Sequence, residues 1–163
     1  MKKVAVITAS DSGYAKKRED VSGPLVQEIV QSRGYEIAEY RLLPDDEESL
    51  ALAMIDIADG GKADLILTTG GTGFSPRDCM PEATKRVIQR EVPGIPEAMR
   101  HFSVILTKRA MLSRGVAGIR GKTLIVNLPG SPKAVKECLE YIIEELEHGL
   151  EILAGDAGDC ARS

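Results

Sequence analysis

ADLILTTGGTGFSPRD, residues 63–78, decides the fold. Apart from Asp64, its first seven residues are apolar or β-branched, the composition of a strand buried on both faces. Three glycines then fall within four places, 70–73. Glycine reaches dihedrals closed to other residues and lets the backbone approach a ligand closely. Successive N–H groups in such a turn make an anion nest, to which Thr72 adds a hydroxyl. A plain tight turn would use the same glycines, but Arg77 and Asp78 follow at once and add charge to the loop.

The flanking segments repeat the alternation. KKVAVITA (2–9) is a second buried strand, and a polar loop leads to a helix opened by Ser22-Gly23-Pro24 and stopped by Gly34. YEIAEYRLL (35–43) is extended. Pro44-Asp45-Asp46 turns into a helix whose Leu50, Ala53, Met54 and Ile57 share one face. Helical patterns resume near Pro81 and between Pro96 and Met111. RGVAGI (114–119) and TLIVNL (123–128) are extended, and Pro129-Gly130-Ser131-Pro132 opens a long amphipathic helix. Strands alternating with helices predict an α/β fold, a three-layer sandwich with a mostly parallel sheet and helices on both faces. Residues 1–154 are expected to form a single domain and 155–163 a frayed tail. Ligands of such folds sit beyond the carboxyl ends of the strands. The loops 9–20, 44–46, 70–80 and 129–133 should therefore share one rim.

The second glycine turn, NLPGSPKA (127–134), repeats the design of the first. A helix starting at Ser131 would aim unpaired N–H groups and its positive end outward, with Lys133 adding charge and Asn127 an amide. Asp45 and Asp78 each follow a strand end. Two carboxylates near bound phosphates suit Mg²⁺, which takes one or two carboxylates plus phosphate oxygens and water. Asp45 would equally serve as a turn or helix-cap residue, and Asp46 and Asp11 compete for both duties.

The chain has 163 residues, 43% hydrophobic and 28% charged, enough to bury a core without staples. Its formal net charge of −4 gives no general affinity for nucleic acid, and no Trp and few aromatics supply a base-stacking platform. No apolar run approaches the roughly 18 residues of a membrane span, and the start lacks a cleavable signal pattern, so a cytoplasmic location is expected. Cys79, Cys138 and Cys160 make no zinc spacing with His101 or His148. No acidic residue falls between Glu97 and Glu137, where Arg100, Lys108, Arg109, Arg114, Arg120, Lys122, Lys133 and Lys136 lie. That window reads as a local field for an anion, or as a solvated basic face. VAGIRGKT (116–123) misses a Walker A loop: Val116 replaces its first glycine and a strand follows where a helix should. GxGxxG and GxSxG are absent.

SDSG (10–13), EDVSGP (19–24), PDD (44–46), TTGGTGFSPRD with PEAT (68–84), and MLSR with AGIRGKTLIVNLPGSPKAV (within 111–135) occur together and in order. In this the chain resembles the molybdopterin adenylyltransferase family, to which the G domain of gephyrin belongs, from about residue 3 to residue 150. The resemblance implies a trimer and Mg²⁺-dependent transfer of AMP from ATP to the terminal phosphate of molybdopterin, with pyrophosphate released. A molybdate-insertion protein would take the product. It implies catalytic and metal-binding roles for Asp45 and Asp78. It implies ligand contacts from Ser10, Gly70, Gly71, Thr72, Gly73, Ser103, Ser113, Asn127, Pro129, Gly130 and Ser131. A non-catalytic molybdopterin-binding protein of the same fold is the alternative. One departure stands out: Cys79-Met80 replace the Val-Thr common in the family before PEAT. The lost threonine is expected to remove a helix N-cap and to disturb the surroundings of Asp78.

Overall fold

The computed structural model describes residues 1–156. Along the chain run β1 (Lys3–Ala9), α1 (Asp11–Tyr14), α2 (Ser22–Ser32), β2 (Glu36–Leu43), α3 (Glu47–Asp59), β3 (Leu65–Thr69) and α4 (Met80–Val87). They are followed by β4 (Arg90–Glu91), α5 (Gly94–Leu106), a 3₁₀ turn (Lys108–Leu112), β5 (Ala117–Arg120), β6 (Thr123–Leu128) and α6 (Pro132–Ala154). The strands form one sheet in the order β2-β1-β3-β6-β5-β4. β2, β1, β3 and β6 are mutually parallel, while β5 and β4 are added antiparallel at one edge.

Burial follows the period-2 geometry of the strands. Val4 and Val6 with Leu65, Leu67, Leu124 and Val126 face α2, α5 and α6. Ala5, Ile7, Ile66 and Ile125 face the other way, onto α3 and α4. β1, β3 and β6 are therefore apolar on both faces, which is why they read as continuous branched runs. The expected three-layer architecture is present.

Three details differ from the sequence reading. The helix expected to run to Met111 breaks at Thr107, whose φ of −152° is extended, and tightens into the 3₁₀ turn. The polar loop after β1 contains the one-turn α1, capped by Ser10, whose Oγ accepts from the Gly13 N–H at 3.0 Å. The two-residue β4 is too short to leave a pattern. The near-Walker segment forms an antiparallel β5–β6 hairpin with Arg120 opposite Thr123, as its strand-turn-strand context requires.

At the C-terminus Gly155 takes φ +83° and closes α6. Its N–H donates to the Ile152 carbonyl and that of Asp156 to the Glu151 carbonyl, a Schellman cap. The rest of the expected tail, with Cys160, lies outside the described residues. Among those described, Cys79 and Cys138 are free thiols, and no helix is long and apolar enough to cross a membrane.

Candidate active site

The sheet order reverses about β1: its chain leaves toward β2 on one side, while β3 continues toward the other. A ligand crevice is expected at the carboxyl ends flanking such a switch. There the four predicted loops do meet. The Asp11 N–H donates to Asp45 Oδ2 and the Asp45 N–H donates to Asp11 Oδ1, both at 3.0 Å, tying the loops after β1 and β2. Arg77, from the loop after β3, donates to both Asp11 oxygens at 3.0 and 3.1 Å. Thr69 Oγ1 donates to the Pro129 carbonyl at 2.6 Å and Ser22 Oγ to the Gly130 carbonyl at 2.7 Å, fixing the loop after β6.

Gly70 and Gly71 hold φ of +89° and +70°, in the region that favours glycine. A Cβ on Gly70 would lie 2.3 Å from the Ala9 carbonyl oxygen, so a side chain is excluded by contact as well as by conformation. The turn is held between the two predicted acids. A Cβ on Gly71 would stand 3.2 Å from Asp45 Oδ1, and one on Gly73 2.9 Å from Asp78 Oδ2. Asp78 Oδ2 accepts from the Ser75 N–H at 3.1 Å. Asp45 differs: Oδ2 is taken by Asp11, whereas Oδ1 is buried and has no partner among the described residues. Burial raises the Asp45 pKa above the usual carboxylate value; the Asp11 N–H opposes this, and the charges of Asp11 and Asp78 reinforce it. Asp11 shifts the opposite way, lowered chiefly by its hydrogen bond to Arg77.

Two clefts open on either side of the glycine turns. One, of about 370 Å³, lies over β1 and β3 and is lined by Thr8, Ser10, Arg18, Asp20, Gly70 and Gly130. The other, of about 340 Å³, lies between α5, the 3₁₀ turn and α6. Its walls include Thr72, Gly73, Arg100, Ser103, Arg109 and Ser113, with Asn127 and Pro129. Ser131 lines both. Ser131 also caps α6, its Oγ accepting from the Ala134 N–H at 3.3 Å. Asp45 and Asp78 line neither cleft; they touch the GGTG turn that walls both. A larger apolar groove of about 540 Å³ between α5 and α6 shares no residue with either cleft.

The fold makes internal use of several predicted contacts. Asn127 is 1% exposed, and its amide donates to Thr68 Oγ1 at 3.0 Å and Thr84 Oγ1 at 2.9 Å while accepting from the Val116 N–H. Ser103 Oγ lies 3.2 Å from Cys138 Sγ, and Ser113 Oγ accepts from the Gly115 N–H at 3.4 Å. The basic window divides. Arg120 pairs with Asp59, outside the rim. Arg114 is a clamp, donating to the Gly73 carbonyl at 2.7 Å, the Asp78 carbonyl at 3.1 Å and Glu82 at 2.5 Å. Arg100 and Arg109 of that window line the cleft beside α5. The clamp has no local sequence signal, because Arg114 is 36 residues from Asp78.

The expected loss of an N-cap is corrected. Cys79 is the N-cap of α4, without a side-chain bond, and position 80 is already inside the helix. Met80 is fully buried in the layer with Ile7, Leu50 and Met54. A threonine hydroxyl there would stand within that apolar layer, and Asp78 keeps its bond to Ser75.

A doubly wound α/β sheet carries two N–H-rich turns at the carboxyl ends of β3 and β6, with a pair of acids against the first, the architecture of α/β proteins that bind ligands beyond their strand ends. The family model of a probable molybdopterin binding domain matches residues 5–148. A molybdopterin adenylyltransferase of Helicobacter pylori is 39% identical over 155 residues, covering 94% of this chain and 88% of that protein. The molybdopterin biosynthesis enzyme MoaB of Thermus thermophilus superposes with a TM-score of 0.90 at 44% identity, covering 95% of this chain and 98% of that one. The tungsten cofactor synthesizing protein MoaB of Pyrococcus furiosus does so with 0.85 at 37%, over 94% and 97%. The chain belongs to the molybdopterin adenylyltransferase family, nucleotidyltransferases of molybdenum cofactor biosynthesis.

Proposed function

We propose that this protein transfers AMP from ATP to the terminal phosphate of molybdopterin and releases pyrophosphate. The observation that carries the reading is the GGTG turn itself, held between Asp45 and Asp78 and forming a wall of two clefts that meet at Ser131. Two polyanionic substrates need two adjoining sites and a shared wall at which their phosphates meet.

A phosphate oxygen of molybdopterin attacks the α-phosphorus of ATP, and the bond from that phosphorus to the β-phosphate bridge breaks. The attacking phosphate is already ionised near neutral pH, so no strong general base is needed. The chain's contribution is position and charge. Ser131 and the N-terminus of α6 face both clefts with a positive helix end. Arg100 and Arg109 supply positive charge to the α5 side, and Arg114 keeps Gly73 and Asp78 in place. Asp45 and Asp78 fit Mg²⁺: Oδ1 of Asp45 is an orphaned buried acceptor, the kind of atom a cation satisfies. Among the described residues no group of three His, Cys, Asp or Glu forms a metal site. Mg²⁺ held by these two acids would draw its other ligands from phosphates and water. Bound there, it would offset charge developing at the α-phosphate and on the departing pyrophosphate.

Homo-oligomerisation, as a trimer, belongs to the same reading. α5 leaves Ile105 75% and Leu106 54% exposed, and Met111 beside it 63%, an apolar surface of the kind subunits cover. Sedimentation should give a species larger than the monomer.

The deciding assay is pyrophosphate release and AMP incorporation with molybdopterin, ATP and Mg²⁺. Asp45→Asn and Asp78→Asn should each lower turnover by about 100-fold or more, while pterin binding survives. A wild type that binds the pterin without turning over would leave the non-catalytic binding protein as the reading.

A further inference from the structure

Asp45 has one oxygen held and one free, and three loops combine to arrange this. Its Oδ2 accepts from the Asp11 N–H at 3.0 Å, so the carboxylate cannot rotate without breaking that bond. Its Oδ1 is buried against Gly71 with no partner among the described residues. An arginine stands nearby: Asp11 Oδ1 accepts both from the Asp45 N–H at 3.0 Å and from Arg77 at 3.1 Å. A guanidinium is the natural partner of an orphaned carboxylate oxygen. Arg77 is nevertheless held on Asp11, its Nε on Oδ2 and its Nη2 on Oδ1.

We propose that Asp11 is a positioning residue that sequesters Arg77, keeping Oδ1 of Asp45 open to the cation that accompanies the substrate phosphates. The inference rests on the metal reading of Asp45 given above. The Arg77–Asp11 pair is half-exposed, with side-chain exposures of 62% and 44%, so it adds little to stability. Its consequence is geometric: it decides which acid the guanidinium occupies. Without the second carboxylate oxygen and the charge of Asp11, Arg77 turns to Asp45 and fills the lone pair that the cation needs.

Asp11→Asn is the informative change, because its amide oxygen still accepts from the Asp45 N–H and keeps the two loops tied. The probe is Mn²⁺ with α,β-methylene-ATP, which cannot be cleaved at the reacting bond. Water-proton relaxation reports the bound metal without turnover. Asp11→Asn should weaken binding of the Mn²⁺–nucleotide about tenfold, and adding Arg77→Gln should bring it back to within about threefold of wild type. Arg77→Gln alone should stay within about threefold. In turnover assays the Mg²⁺ half-saturation should follow the same order, with kcat at saturating Mg²⁺ changed far less. A purely structural role predicts the reverse: the double variant would bind as weakly as Asp11→Asn or more so, with a lower melting temperature, and that result overturns the proposal. Normal binding by Asp11→Asn overturns it as well. A wild type that gives no relaxation enhancement removes the metal reading itself, and this inference with it.

Discussion

The two glycine turns look alike in sequence and are held by different physics. The one after β3 is separated from its helix: Gly70–Gly73 are followed by six residues before Met80 starts α4, so no helix end stands behind them. It owes its shape to left-handed backbone at Gly70 and Gly71, to the Ala9 carbonyl below, to two carboxylates beside it and to Arg114 across it. The turn after β6 runs straight into α6, with Ser131 as its N-cap. Gly130 has no left-handed φ, and a Cβ added there would stand 3.5 Å from the Gly70 Cα, an ordinary van der Waals contact. The first turn is a constrained loop that acids surround; the second is a helix terminus. Glycine density alone reports neither.

That contrast is open to direct attack. Gly70→Ala should be the most damaging change, costing about 3 kcal/mol or more, since it meets both a left-handed φ and a contact with backbone. Urea midpoints read this, and a loss below about 1 kcal/mol would show that the turn relaxes freely. Ser131→Ala removes the cap of α6 and should cost about 1 kcal/mol. It should also weaken ligands in both clefts, which tests whether the residue is shared.

Asp45→Asn should work the other way and raise the melting temperature by about 1–3 °C near neutral pH. The folded-state pKa of Asp45 is raised, chiefly by burial. The stability linked to its protonated form is therefore complete below the ordinary carboxylate value and lost as pH rises through the raised one. The gain from Asn should accordingly vanish in acid. An Asn variant less stable at neutral pH would mean that the site favours the charge it holds. The smallest effect is expected for Gly130→Ala, within about 0.5 kcal/mol of wild type. A change there as large as at Gly70 would erase the distinction between the turns.

By itself the sequence determined the layers, the order of elements and the rim. The branched runs of β1, β3 and β6 can be buried only on two faces, and the periodicity of α3 and α6 shows one buried stripe each. Gly70–Gly73 and the Pro129-Gly130-Ser131 turn announce themselves by their glycine and proline content directly after apolar strands, and Asp45 and Asp78 lie in the loops that follow strands. Only the tertiary structure decided how each charge is employed. Arg114 and Arg120 fall in one basic window, yet one clamps the GGTG loop and the other pairs with Asp59. Asn127 spends its amide inside the fold, and Asp11 rather than Asp46 joins Asp45. Hydrophobic burial is written in local period, because each strand or helix turns its own face inward. A charged side chain takes whichever partner the folded chain brings within about 3 Å, and those partners lie dozens of residues away.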